Sequence, residues 1–207
     1  LRCLVGSEMC IRDRLSGDQL YRMDFSKMID EHLYRKAEVT VAAKPVPLSD
    51  AYGLGLLSLG EDAKISEFVE KPTDLKVISS LVPQELKSDG VIEDRVLASM
   101  GIYVFNAQTM FDALAGDSKD FGKEIIPSLV EQKDIRCHIF DDYWEDIGTV
   151  KAFFDANLQL TEPVPSFNFY DEEFPIYNYP DILPTAKLTE CNICLLYTSD
   201  AADEWLR

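Results

Sequence analysis

The chain has 207 residues, 20 of them Lys or Arg against 37 Asp or Glu, for a formal charge of −17. An acidic chain of that strength repels a phosphodiester backbone, which argues against DNA or RNA as a partner. No apolar run approaches the roughly 20 residues of a membrane-spanning helix, and the length suits about one domain.

The two ends read differently from the middle. One permitted coding of Met9-Cys10-Ile11-Arg12-Asp13 is ATG TGT ATA AGA GAC. Its reverse complement, preceded by one T and read in the shifted frame, gives Cys-Leu-Leu-Tyr-Thr, the residues at Cys194 to Thr198. Segments related as an inverted DNA repeat are not a protein motif; they resemble translated sequencing-library adapters. The flanks Leu4 to Glu8 and Asp200 to Glu204 fit the same origin. Residues 1–14 and 194–207 are therefore read as non-native tails, expected to make few contacts with the domain. The first carries +1 and the second −2, so the remaining chain keeps −16 of the −17. Three of the five cysteines fall in the tails; Cys137 and Cys191 remain, without metal-ligand spacing, which suits a reducing compartment.

Between the tails, apolar Phe25, Met28, Ile29 and Leu33 recur at helical spacing and predict an amphipathic helix. Val39 to Ala43 reads as a buried strand, and Gly53 to Leu59 and Lys64 to Glu70 as two more around the turn Gly60-Glu61-Asp62. Thr73 to Leu81 predicts a helix and Pro83 to Asp94 a polar connection. Ala98 to Phe105 is the clearest strand of the chain, followed by helices over Gln108 to Ala115 and Gly122 to Gln132. A strand over Ile135 to Phe140 and a helix over Thr149 to Leu160, with Thr149 as N-cap, complete the pattern. Strands alternating with helices of this length predict an α/β, Rossmann-like domain with a mostly parallel sheet over residues 15–161. From Glu162 to Pro184 five prolines and six Phe or Tyr residues occur without period, so residues 162–193 read as an ordered linker rather than disorder.

Five clusters offer chemistry: Leu15 to Asp18, Ala51 to Gly55, Glu67 to Pro72, Asp120 to Glu124 and Tyr143 to Thr149. All fall near predicted strand ends, where open α/β sheets bind ligands. The free N–H groups at the start of the helix after Asp120 are a candidate anion site. Each cluster also has a structural reading. An Asp before a helix is commonly a cap, a lone Lys71 a solvated charge, and Trp144 a core residue. His32 and His138 are given no role.

In this order the clusters resemble one family, the glucose-1-phosphate adenylyltransferases (ADP-glucose pyrophosphorylases). Ser16-Gly17-Asp18-Gln19-Leu20-Tyr21-Arg22-Met23-Asp24 looks like the stretch that carries the family's metal-binding aspartate. Glu67 to Pro72 looks like its sugar-phosphate lysine motif, and Ala98 to Phe105 and Asp120 to Pro127 match further segments. Tyr143-Trp144-Glu145-Asp146-Ile147-Gly148-Thr149, with Ala156-Asn157-Leu158, is the most specific match. The run from Phe167 to Pro184 resembles the linker before the family's left-handed β-helix domain. The likeness covers Leu15 to Leu188. Gln19 departs from it, standing where the family usually has His. The resemblance implies that residues 162–193 hold the linker and the start of the β-helix domain, whose remainder is expected after Ile193 as the Gly-rich phosphate loop is expected before Leu15.

The resemblance implies ATP and α-D-glucose 1-phosphate as substrates, with ADP-glucose and pyrophosphate as products of glycogen or starch synthesis. It implies Asp18 and Asp146 as catalytic ligands of Mg²⁺, and a glucose 1-phosphate subsite of Gly53, Glu70, Lys71, Ser99 and Trp144. It further implies a homo- or heterotetramer, in the cytoplasm or in a plastid. Without the phosphate loop the 207 residues alone are expected to be inactive. Two alternatives stay open: a sugar nucleotidyltransferase using another base, and a non-catalytic regulatory subunit of the same family.

Overall fold

Residues of alternating polarity and residues at helical spacing succeed one another, and the chain folds accordingly. The computed structural model describes residues 11–83, 94–116, 118, 120–169, 171, 175 and 176. Its strands are β1 (Ile11–Arg14), β2 (Gln19–Tyr21), β3 (Val39–Pro47), β4 (Gly55–Leu59), β5 (Ile65–Glu70), β6 (Arg95–Asn106), β7 (Ile135–Ile139) and β8 (Trp144–Asp146). The helices are α1 (Phe25–Arg35), α2 (Leu75–Ser80), α3 (Ala107–Leu114), α4 (Ile126–Gln132) and α5 (Val150–Gln159), with a π-helical turn over Phe121–Ile125 leading into α4. The described residues fall in two units, the first ending at Asn168. Most of the expected linker, most of the expected 83–94 connection and the C-terminal tail lie outside the described residues.

The central sheet runs β5-β4-β6-β3-β7, with β1 also on β6. It is mixed: β3 and β7 are parallel, whereas β6 runs antiparallel to β1, β3 and β4. β4 and β5 are joined by the turn at Glu61–Ala63, and a link that short permits only an antiparallel pair. Among the described strands the parallel pair is β3 with β7, which are far apart in sequence, with β4, β5 and β6 between them.

Side-chain alternation sends neighbouring residues to opposite faces. Val39, Val41, Ala43, Tyr103 and Phe105 pack with Ile125, Ile126 and Leu129. Ala42, Ile102 and Val104 face the other way, onto Met28 and Trp144. A third cluster joins Val46, Leu56, Val96 and Ala98 to Ile78 and Leu81 of α2. Both faces of the sheet are covered by helix, as α/β layering requires.

Several expected boundaries move, each for a visible cause. β3 continues to Pro47 although it holds Pro45 and Pro47. β7 ends opposite Ala43, so beyond it one side of β3 is an edge, where a missing N–H is tolerated. In α1 it is His32 that turns inward with Met28, while Leu33 is 41% exposed. His32 Nδ1 meets Thr40 Oγ1 at 2.8 Å, so the inward ring has a partner. Thr149 caps α5 as expected, accepting from the Ala152 N–H at 3.1 Å.

The expected exclusion of residues 1–14 from the fold does not hold for β1. Ile11 to Arg14 pair with Asn106 to Tyr103, and Ile11 is buried. Strand pairing is made by backbone N–H and C=O groups, so a segment of any origin with an apolar residue at the right parity can occupy this edge. The pairing carries no information on where the segment came from. It does deliver Ser16 to Asp18 to the end of a strand.

Candidate functional site

The site lies where the edge of β6 is left open. Along that edge β4 covers Leu97 and Ala98, and β1 covers Tyr103 to Asn106. Between them stands Gly101, at φ 67°, a left-handed conformation that bends the strand and favours glycine. A side chain here would also crowd Ser16, since a Cβ would meet that residue's Cβ at 3.3 Å. The gap opens into a cavity of about 220 Å³ whose lining includes Asp18, Gly53, Glu70, Lys71, Ser99 and Asp146. Six of the seven residues assigned to the site from sequence therefore share one cavity.

Asp18 and Asp146 meet through a ribbon of two three-residue strands. β2 pairs antiparallel with β8, setting Gln19 opposite Asp146 and Tyr21 opposite Trp144. The Ile147 N–H donates to the Asp18 carbonyl at 3.0 Å and closes the ribbon. Ser16 Oγ donates to Asp18 Oδ1 at 2.6 Å, and the Gly148 N–H to Asp146 Oδ1 at 2.9 Å. Both carboxylates flank Gly148: a Cβ there would lie 3.0 Å from Asp146 Oδ1 and 3.1 Å from Asp18 Oδ2. Two convergent hard oxygen donors form a cradle that a side chain would fill. Among the described residues no group of three His, Cys, Asp or Glu makes a ready-built metal cage.

Lys71 follows the last residue of β5 and takes φ 48°. A residue before proline normally avoids helical backbone angles, and a non-glycine residue in the left-handed region costs about 1 kcal/mol or more. The neighbouring structure fixes it there: the Lys71 N–H donates to the Leu54 carbonyl at 3.2 Å. The strand thus ends in a turn that brings Lys71 to the cavity wall. Gly53, at φ 82°, supplies the matching turn before β4. Glu70 is half-buried between these elements. Burial raises its carboxyl above the ordinary value, nearby Asp120 adds to the rise, and Lys71 and Lys123 oppose it.

Asp120, Phe121 and Gly122 close one wall, and Tyr103, only 4% exposed, another. The expected anion site at the start of the helix after Asp120 is partly taken by the protein itself. The Lys123 N–H donates to Asp120 Oδ1 at 3.0 Å, and backbone N–H groups of Lys123 and Gly122 hold that carboxyl below its usual range. Arg14, the last residue of β1, reaches the rim with its guanidinium 4.1 Å from the Phe121 ring centroid.

Trp144 stands apart from the other six. It is 7% exposed, packs in the cluster with Met28 and Met100, and its Nε1 donates to Gln19 Oε1 at 3.1 Å. The residue that departs from the family pattern thus holds the indole. Trp144 lines a second cavity, of about 620 Å³, with Lys44, Tyr52, Arg95 and Glu145. Gly53, Leu54 and Asp146 border both cavities. Tyr103 and Gly101 were not singled out individually by sequence; the lone glycine inside the apolar run Ala98 to Phe105 was the available signal.

Among the described residues no helix is long and apolar enough to cross a membrane. Residues 7–163 match the model of the nucleotidyl transferase family. The matched span runs through β1 to α5 and contains every residue lining the smaller cavity. With the family's chemistry and these convergent acids, lysine and glycines on one chain, the protein belongs to the nucleotidyl transferase family.

Proposed function

We propose that this chain carries the sugar-phosphate half of a glucose-1-phosphate adenylyltransferase, which forms ADP-glucose and pyrophosphate from ATP and α-D-glucose 1-phosphate. Family membership brings nucleotidyl transfer between a nucleotide and a sugar phosphate. The observation that carries the finer reading is the gathering of Asp18, Asp146, Glu70, Lys71 and Ser99, from four separate strand ends or strands, on one cavity. The Tyr143 to Thr149 motif supports adenylyl rather than another nucleotidyl transfer, by resemblance.

In this reading a phosphate oxygen of glucose 1-phosphate attacks the α-phosphorus of ATP in line, and pyrophosphate leaves. Such a transfer asks for positioning and charge neutralisation more than for covalent catalysis. Lys71 pairs with the sugar phosphate; its left-handed backbone turns the chain at the end of β5, where the residue lines the cavity. Glu70 accepts hydrogen bonds from sugar hydroxyls, and Ser99 offers a hydroxyl from β6. Asp18 and Asp146 fit Mg²⁺, which favours one or two carboxylates with water and phosphate oxygens completing its shell; when bound it neutralises developing phosphate charge. Trp144 borders the sugar subsite indirectly, by holding β8 against β2. By the same resemblance the enzyme works as a tetramer in the cytoplasm or a plastid.

The test has two arms. Calorimetric titration of the purified chain with α-D-glucose 1-phosphate and MgCl₂ is expected to show saturable binding that Lys71→Ala weakens. Expression of the contiguous genomic reading frame, assayed for pyrophosphate release with ATP, dTTP, UTP and GTP in turn, is expected to favour ATP. Preference for another nucleotide would reassign the base; no turnover with any of them would make the protein a regulatory subunit.

A further inference from the structure

Two glycines beside the cavity are not required by their backbone angles. Gly55, which opens β4, and Gly122, in the π-helical turn, both lie outside the left-handed region that Gly53 and Gly101 occupy. What they share is the Glu70 carboxylate. A Cβ on Gly122 would lie 2.6 Å from Glu70 Oε2 and 2.7 Å from its Cδ. A Cβ on Gly55 would lie 2.7 Å from the same Oε2 and 3.0 Å from Phe68 Cζ. Contacts so short do not survive between a real Cβ and a carboxylate. Elsewhere glycine is free of this demand: at Gly116 a Cβ would meet nothing within 4 Å.

We propose that Gly55 and Gly122 are positioning residues, which hold the Glu70 carboxylate at the cavity by leaving a slot with no side chain on either wall. The two walls come from separate parts of the chain, the first residue of β4 and the turn preceding α4, and they close on one oxygen. Glu70 also follows the register of the β4–β5 pair, in which Gly55 and Glu70 are direct cross-strand partners. Cross-strand partners on one face stand about 4.5–5.5 Å apart at Cβ, so a glycine opposite lets the carboxylate fold across its partner strand. The carboxylate is then packed against backbone on both sides, its torsions limited by the slot instead of by hydrogen bonds. The proposal deepens the reading of Glu70 as the acceptor of sugar hydroxyls and rests on it for its consequence, though not for its geometry.

The flexible end of Glu70 yields more readily than two backbone segments, so an alanine is expected to expel the carboxylate and leave the fold intact. Three measurements on the 207-residue chain test this. The first is a ¹³C NMR titration of the Glu70 Cδ, assigned by its loss in Glu70→Gln. The second is thermal melting, and the third is calorimetric titration with α-D-glucose 1-phosphate. In Gly122→Ala the Glu70 titration midpoint is expected to fall towards that of an exposed carboxyl, as the group leaves its half-buried slot. Melting is expected to stay within a few degrees of the parent, and affinity for glucose 1-phosphate to drop about tenfold, the scale of one charge-assisted contact. Gly122→Ala with Glu70→Asp should regain part of that affinity, because the shorter side chain clears the new methyl. In a Glu70→Ala background Gly122→Ala should change nothing further, and Gly116→Ala should behave as the parent throughout.

An unshifted Glu70 midpoint in Gly122→Ala overturns the clamp. So does a collapse in melting temperature that Glu70→Ala fails to relieve, since the methyl would then be clashing with something other than the carboxylate. A shifted midpoint with unchanged affinity upholds the clamp and overturns the sugar-binding role of Glu70. The NMR arm reads the clamp even if the chain takes no glucose 1-phosphate.

Discussion

Two clusters of charge in this molecule are built on opposite principles. The first ties α1, the turn at Glu61–Ala63 and β7 together. Glu31 bridges Arg35 at 3.1 Å and His138 at 2.6 Å, while Asp62 takes Arg35 and Arg136, and Arg136 also meets Asp134 at 2.8 Å. Every carboxylate there has a cation. The second cluster is the cavity, with Asp18, Glu70, Asp120 and Asp146 on its walls. Among the described residues no ion pair engages Asp18, Glu70, Asp146 or Lys71. The first arrangement stabilises the fold. The second keeps carboxylates and an ammonium facing a void without ion pairs, and at Glu70 burial opposes the charged form. Mutations should therefore separate the clusters by sign.

The largest separation is expected at Asp146. In the enzyme expressed from its full reading frame, Asp146→Asn should cut kcat several hundredfold, about 3–4 kcal/mol of transition-state stabilisation, with little change in melting. The amide keeps the shape and the Gly148 hydrogen bond while losing the charge. Near-normal turnover at ordinary Mg²⁺ would reduce Asp146 to a partner for the Gly148 N–H.

Lys71 should show binding and stability moving in opposite directions. Lys71→Ala should raise KM for glucose 1-phosphate roughly ten- to a hundredfold and leave KM for ATP unchanged, because one charge-assisted contact present in ground and transition state is lost. Lys71→Arg should rescue only in part, as a planar fork replaces a compact charge. Lys71→Gly should lose the same affinity yet raise stability by about 1 kcal/mol in chemical denaturation, by relaxing the left-handed residue. Equal effects on both substrates would indicate misfolding instead.

At the paired cluster the sign reverses. Asp62→Asn keeps a residue type that tolerates φ 52° but removes the charge shared by Arg35 and Arg136. It should cost about 1 kcal/mol or less, shrinking as salt is added, because Asp62 is 70% exposed. Sugar-phosphate affinity should not move. A salt-independent loss would assign the effect to the turn and not to charge.

The smallest effect is expected from pH. Burial holds the His32 imidazole below its ordinary value, against the raising influence of Asn106 and of nearby Glu38. Below about pH 6.5 the unfolded state takes up a proton that the folded state resists, so the His32 contribution to stability is present above that pH and lost on acidification. Glu70 carries the opposite sign: raised in the fold, it weakens stability as pH climbs above the ordinary carboxyl range. Glu70→Gln should therefore melt slightly higher than the parent at pH 7 while binding sugar phosphate less well. Melting curves of His32→Gln and Glu70→Gln from pH 5 to 8 check both slopes; a parent-like acid slope in His32→Gln would place the titration elsewhere.

The sequence by itself was sufficient for whatever depends on local pattern. Val39 to Ala43 and Ala98 to Phe105 are strands because β-branched and apolar residues there have nowhere but a covered sheet to go. Thr149 caps its helix because a β-region hydroxyl can accept the orphan N–H of Ala152. Asp18, Glu70, Lys71 and Asp146 are named by the resemblance of their motifs to one family and not by local pattern, which leaves each of them an ordinary cap or surface charge. Tertiary structure decided the rest. β2 and β8 are three residues each, too short to carry a period, and exist because each supplies the other's hydrogen bonds. The sheet is mixed because the short β4–β5 turn and the long bent β6 impose antiparallel neighbours that alternation of helix and strand does not reveal. Ile11 to Arg14 join it because their backbone pairs with the edge of β6 while Ile11 falls at the parity that buries it. Trp144 stays out of the smaller cavity although Asp146, on the same face of β8, lines it, because the indole packs into the apolar cluster and its N–H is held by Gln19. The meaning of Gly55 and Gly122 was beyond local pattern altogether. A glycine that makes room for a side chain from another strand leaves no trace in its own neighbourhood, since the constraint is set by distance in space and not by position along the chain.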